Sequence, residues 1–265
     1  MTGSSAPSAS IAISTYGRAV VRGARTAVLV HGAGMDQSVW TLQGRYLAFH
    51  GWNAVAVDLP GHGRARGQPP LRSIGEIAEW LAALIEAIGA ERAAVIGHSM
   101  GALAALELAA RYPTRVSQLA LLGAAATMPV HPELLELAGR HDRKAVELIC
   151  DWAFGMRGHM GGSALPGGWL MGTARELLLR GDPAVLAIDL AACQEYRHGD
   201  RAAAAVRCPT LVLVGAEDRM TPPRAGRALA ERIAGAGCVE IAEAGHMMMV
   251  EQPEATLSEL RRFMG

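Results

Sequence analysis

The run from Ala93 to Arg111 constrains the chain more than any other stretch. Ala93-Ala94-Val95-Ile96 is short, apolar and partly β-branched, which reads as a buried strand. Ala102 to Arg111 is rich in Ala, Leu and Glu, which reads as a helix. Between them lies Gly97-His98-Ser99-Met100-Gly101. A strand that turns at once into a helix strains the residue at the turn and projects its side chain at the carboxyl edge of the sheet. Glycines two residues on either side leave room for that turn, because a Cβ there would collide with neighbouring strand or helix. Ser99 is therefore expected to stand free, at the positive end of the new helix.

Around this stretch strands and helices alternate. Thr26 to Val30, Asn53 to Val57 and Val116 to Leu122 read as strands; Ser38 to His50, with Ser38 as cap, and Ile74 to Ile88 read as helices. Ile11-Ala12-Ile13 and Ala19-Val20-Val21, flanking Tyr16-Gly17, predict a β-hairpin, and residues 1–10 are expected to be disordered. From about Ala126 to His198 no strand pattern occurs, only weak helical segments at Pro132–Leu137, Ala174–Leu179 and Pro183–Cys193. Alternation resumes with strands at Thr210–Val214 and Val239–Ile241 and helices at Pro223–Ile233 and Pro253–Phe263. The pattern predicts an α/β fold, a mostly parallel sheet with helices on both faces. The division is a first core part over 1–125, an inserted helical cap over 126–200 and a second core part over 201–265.

Composition excludes several classes. Of 265 residues, 51% are hydrophobic and 19% charged, which is not a disordered chain. Net charge is zero, so neither nucleic acid nor an anionic membrane is an expected partner. No apolar run approaches the roughly 18 residues of a membrane span. The N-terminus lacks a signal-peptide pattern, and the expected location is the cytoplasm. Cys150, Cys193, Cys208 and Cys238 form no CxxC pair, and neither they nor the histidines are spaced as a metal site. No metal and no cofactor is expected.

A serine hydroxyl needs a base within reach and a group to orient that base. In this topology both should follow strands at their carboxyl ends. Of nine histidines, only His246, in Glu243-Ala244-Gly245-His246-Met247, follows the last strand. Asp218, in Gly215-Ala216-Glu217-Asp218, follows the strand before it; a helix cap or Asx-turn ahead of Pro222 is its blander role, and Glu217 is the competing acid. An oxyanion would be held by the N–H of Met100 and by the loop His31-Gly32-Ala33-Gly34, with Ala33 the preferred donor and Gly34 the reserve.

With Gly32-Ala33, Ser99, Asp218 and His246 in that order, the chain resembles the α/β-hydrolase-fold enzymes with a helical cap. Asp58-Leu59-Pro60-Gly61-His62-Gly63 and the stretches Thr221-Pro222-Pro223 and Val250-Glu251-Gln252-Pro253 add to the likeness. The similar branches are carboxylesterases, enol-lactonases and meta-cleavage-product C–C hydrolases. The resemblance implies a serine hydrolase acting on a small ester or lactone, with a C–C hydrolase as the alternative; a homodimer is an open option that the sequence does not decide.

Two rivals stand beside this reading. Thr26–Val30, then Gly32-Ala33-Gly34-Met35-Asp36-Gln37, then Asp58, sketches a dinucleotide site without its third glycine. A catalytically silent ligand-binding protein on the same fold is the other. For substrate, the expected pocket residues are Gly34, Trp152, Met156, Trp169 and Met247. Trp152, Phe154, Met156, Met160, Leu165, Trp169, Leu170 and Met171 either line a roof over Ser99 or form a small core of their own. Glycines at 155, 158, 161, 162, 167, 168 and 172 would let that segment hinge.

Overall fold

The computed structural model describes residues 11–163 and 168–265. The terminus expected to be disordered (1–10), and Leu165 and Gly167 of the expected roof, lie outside the described residues.

Among the described residues, seven strands form one sheet in the order β1-β3-β2-β4-β5-β6-β7. β1 is Ile13–Ser14, β2 Thr26–Val30, β3 Asn53–Val57, β4 Ala93–His98, β5 Val116–Leu122, β6 Thr210–Gly215 and β7 Gly237–Ile241. All neighbours are parallel except β1 with β3. Every residue of β2, β3, β4 and β6 is buried, as strands covered on both faces require. The pleat divides them: Val28 and Val30 enter one core, Ala27 and Leu29 the other.

Helix α1 (Thr41–Phe49) and the C-terminal helix contribute to one core, and α2 (Ile74–Ala87) and α3 (Met100–Arg111) to the other. Ile74, Ile77, Leu81, Leu84 and Ile85 form the buried stripe of α2, and Ser73 caps it by accepting the Glu76 N–H. Between β5 and β6 come α4 (Pro132–Gly139), α5 (Lys144–Ala153), α6 (Met156–His159), α7 (Leu170–Arg180), α8 (Pro183–Glu195) and α9 (Gly199–Ala205). α4 packs on α5 and α8, and α5 on α7, whereas α9 returns to pack on α3. A Cβ on Gly199 would stand 1.7 Å from the Ala126 carbonyl, so the start of α9 lies directly against the segment that follows β5. The chain ends with α10 (Pro223–Arg232), α11 (Met248–Glu251) and α12 (Pro253–Met264).

Three expectations are corrected. The N-terminal hairpin does not form: β1 pairs antiparallel with β3, and Asn53 instead satisfies the Val21 backbone, Oδ1 accepting its N–H and Nδ2 donating to its carbonyl. Side-chain amides there do the work of a strand partner. Ser38 is not the cap: a 3₁₀ turn, Gln37–Trp40, precedes α1, and Asp36 caps it by accepting the Ser38 N–H. Helices α5, α6, α9 and α11 were not foreseen: α6 and α11 span four residues each and α9 is mostly Gly and Ala, whereas α5 does carry an apolar stripe at helical spacing, Ala145, Val146, Ile149, Cys150 and Ala153.

Candidate active site

Ser99 links β4 to α3 with φ 54° and ψ −119°. A non-glycine residue in that region costs on the order of 1–3 kcal/mol, held here by its surroundings. Its N–H donates to the Leu122 carbonyl and its carbonyl accepts from Ala102 and Leu103. The flanking glycines are obligatory. A Cβ on Gly97 would come within 2.3 Å of the Gly101 carbonyl, and one on Gly101 within 2.5 Å of the Val30 and His31 carbonyls. The side chain ends up 9% exposed, at the edge of a cavity it shares with His246.

His246 and Asp218 are both buried, and Nδ1 of the imidazole lies 2.8 Å from Oδ2 of the carboxylate. Oδ1 accepts the N–H groups of Met220 and Thr221, so the Asx-turn ahead of Pro222 is present as well. One oxygen shapes the turn and the other meets the ring. Nε2 of His246 is buried with no hydrogen-bond partner among the described residues. An imidazole held at one nitrogen by a carboxylate and left open at the other can accept a proton from a hydroxyl brought to it. Glu217, the competing acid, is turned elsewhere: Oε2 accepts the Met156 N–H at 2.6 Å.

The loop bearing His246 is held from several sides. Its N–H donates to the Ala153 carbonyl at 2.7 Å, and its carbonyl accepts from His98 Nε2 at 3.0 Å. Burial, then the neighbouring His246, push His98 well below the ordinary histidine value, so it is neutral with the proton on Nε2. Glu251 accepts the N–H groups of Gly155, Gly245 and Met247. Burial raises its pKa against the pull of those three bonds.

A Cβ on Gly32 would meet His98 Nδ1 at 2.9 Å and Ser99 Cβ at 3.2 Å, so the loop after β2 lies directly against the serine. Among the described residues the Ala33 N–H has no protein acceptor, and Met100, first residue of α3, has an N–H that no helical carbonyl can reach. Gly34 is corrected as the reserve donor, because its N–H is already bonded to Asp189 Oδ2 at 2.8 Å.

The cavity has a volume of about 530 Å³. Met35, Val130, Leu134, Ile149, Trp152 and Leu190 give it an apolar wall, and Arg219 and Thr221 border it beside Asp218. Of the expected pocket residues, Trp152 is in this lining. Gly34 lines a second cleft instead. Met156 and Trp169 are corrected: they are 66% and 65% exposed and lie outside the lining. The Trp169 ring lies over Gly172, where a Cβ would stand 2.1 Å from it, and Met156 begins a short helix at the surface. Met247 is corrected too: it is buried in the core that Ala27 and Leu29 enter, outside the lining.

The dinucleotide rival loses its acid. Asp58 accepts the N–H groups of Gln37 and Arg64 and pairs with Arg64 Nε at 3.0 Å, tying two loops together.

Sequence reasoning missed Glu251, Gly123, His62 and Asp189. A Cβ on Gly123 would stand 2.9 Å from His246 Nδ1. Gly123 carried a readable signal, a glycine at the end of the strand that lies between those leading to Ser99 and Asp218. Nothing local marks Glu251 or Asp189 as buried carboxylates.

The profile of the alpha/beta hydrolase family matches residues 27–259. A pimeloyl-[acyl-carrier protein] methyl ester esterase of Neisseria meningitidis serogroup B is 31% identical over 255 residues, covering 89% of this chain and 91% of its own. A thermophilic esterase of known structure is 29% identical with a TM-score of 0.76, covering 91% and 90% of the two chains. The enol-lactonase of Burkholderia xenovorans LB400 is 25% identical with a TM-score of 0.80, covering 91% of each.

Proposed function

The chain belongs to the alpha/beta hydrolase family, and on that premise we propose that it is a serine hydrolase cleaving small carboxylic esters or lactones through an acyl-enzyme on Ser99. The observation that carries this reading is the unpartnered Nε2 of His246, whose Nδ1 is held by Asp218, beside the cavity that Ser99 shares.

In this reading His246 takes the Ser99 proton as the oxygen attacks the acyl carbon. The negative charge that develops on the carbonyl oxygen is held by the N–H groups of Ala33 and Met100. His246 then protonates the leaving alcohol, and in the second half it activates the water that releases the acid. Asp218 keeps the proton of the resting ring on Nδ1 and stabilises the imidazolium when it forms. The bond to Nδ1 supports that role, because a carboxylate there leaves Nε2 as the basic nitrogen.

The inserted helices act as a cap that selects the acyl group. Supporting this, α4, α5 and α8 supply Leu134, Ile149, Trp152 and Leu190 to the cavity wall. A volume of about 530 Å³ is ample for a small apolar acyl chain or a lactone ring. Methyl ester and enol-lactone substrates, named for two of the relatives, fall within this class.

The test is a screen of p-nitrophenyl esters of graded chain length, several lactones and a dienol acid. The reading expects turnover of short and medium esters or of lactones, lost in Ser99→Ala. Turnover of the dienol acid alone would move the chain to C–C bond hydrolysis.

A further inference from the structure

Asp189, on α8, is buried, and its Oδ2 meets two partners at 2.8 Å, the Gly34 N–H and His62 Nε2. Three separate parts of the chain converge on that oxygen: the inserted helices, the turn after β3, and the loop that carries Ala33. A Cβ on Gly34 would stand 2.8 Å from Leu186 and 2.9 Å from Leu178, so α7 and α8 rest directly on this loop.

The protonation of His62 follows from its partners. Nδ1 lies 3.2 Å from the Pro60 carbonyl and Nε2 faces the carboxylate. Neither a carbonyl nor an ionised carboxylate brings a proton, so both contacts are hydrogen bonds at once only in the imidazolium, the form these two partners favour. His31, with ring centroid 4.8 Å away, is the contrast. Its Nδ1 faces the Gly32 carbonyl but its Nε2 accepts the Leu59 N–H, so it is neutral. Burial, then the charge of His62, push His31 down to about 3. For His62 burial opposes the cation, but the bond and charge of Asp189 outweigh it and the net shift is upward. The other charged groups around this cleft are Asp36, Asp58 with its partner Arg64, Arg66, Arg180 and Asp182.

We propose that the Asp189–His62 ion pair is a clamp that aligns the oxyanion loop beneath the inserted helices, making Asp189 and His62 positioning residues for catalysis. This rests on the reading of Ala33 as an oxyanion donor. The carboxylate fixes Gly34, the residue next to that donor. The imidazolium keeps the carboxylate ionised and aimed. Misalignment of an oxyanion donor weakens transition-state binding and leaves ground-state binding nearly intact, so kcat falls and KM does not. The imidazolium is present below its raised pKa and is lost as pH rises through it, so kcat declines on the alkaline side.

The experiment uses the full chain, comparing wild type with Asp189→Asn, His62→Gln and the double variant, each checked for fold by circular dichroism. kcat and KM for a small activated ester are measured from pH 6 to 9.5, and the His62 ring nitrogens and the Gly34 amide are followed by NMR. Expected are a kcat loss of roughly tenfold or more in Asp189→Asn with KM within about twofold, and disappearance of the alkaline decline in His62→Gln. The double variant should be no worse than Asp189→Asn. In wild type the His62 ring should be doubly protonated at neutral pH and titrate together with the Gly34 amide. Unchanged kcat in both single variants, or a neutral His62 ring at neutral pH, would overturn the clamp. If wild type cleaves no ester, the hydrolase reading has failed, and the joint titration of ring and amide still decides whether the clamp exists.

Discussion

The Gly123 backbone forms the floor beneath the His246 ring: a Cβ at 123 would lie 2.9 Å from Nδ1, on the side where Asp218 Oδ2 is 3.5 Å away. β5 ends at Leu122, between β4, which delivers Ser99, and β6, which precedes Asp218. A residue at the end of this middle strand therefore meets the ring that must reach between them. It also turns with φ 57°, which suits glycine.

Gly123→Ala is expected to lower kcat at least tenfold, because the new methyl moves the imidazole off Asp218. The left-handed backbone adds a stability loss of about 1 kcal/mol or somewhat more. Steady-state kinetics with a urea melt separates the two. Unchanged kcat would mean that the ring has slack that the packing does not suggest.

Asp218→Asn is expected to reduce kcat by roughly 10⁴-fold, since an amide does not hold His246 in the productive tautomer. Glu217→Gln should change kcat by less than about threefold, because an amide oxygen still accepts the Met156 N–H and the group lies outside the cavity lining. Side-by-side kinetics on one ester decides between the two acids.

The contrast between these neighbours shows what the chain revealed and what it withheld. Parallel strands ending in loops place their chemistry at one sheet edge, so Ser99, Asp218 and His246 were legible from element order. Trp152 lines the cavity and Trp169 does not, although both are large rings in the same weakly helical block, so composition alone did not separate them. Met156 and Trp169 misled because the same composition also suits a surface segment, and burial is a tertiary property. Ser38 misled because a short polar side chain caps equally well two residues earlier, at Asp36. Glu251 and Asp189 were invisible because a carboxylate on a helix is ordinarily solvated, and only the folded backbone shows which N–H groups it meets.

Glu251→Gln is expected to destabilise the fold by about 1–3 kcal/mol, the cost of leaving a buried donor unpaired. The carboxylate accepts three backbone N–H groups, whereas an amide nitrogen placed against the Gly155 N–H opposes donor to donor. Because Gly245 and Met247 flank the base, kcat should fall too. Thermal unfolding and kinetics on the same sample check both; a variant as stable as wild type would mean that those three bonds do not hold the loop that carries His246.

Trp152→Ala is expected to shift ester preference toward longer acyl chains, by roughly tenfold in the ratio of kcat/KM for an octanoyl over a butyryl ester. The indole lines the cavity, and its loss deepens the apolar end. Trp169→Ala and Met156→Ala, both at the surface, should leave that ratio unchanged. If Trp169→Ala moved the preference and Trp152→Ala did not, the pocket has been placed on the wrong side of the inserted helices.

The most direct measurement is the rate of ester hydrolysis by purified Ser99→Ala, with its fold verified by circular dichroism, against wild type on the best ester from the screen. The account predicts a loss on the order of 10⁶-fold in kcat, leaving what the Ala33 and Met100 amides supply. A well-folded Ser99→Ala protein that retained the wild-type rate would contradict it.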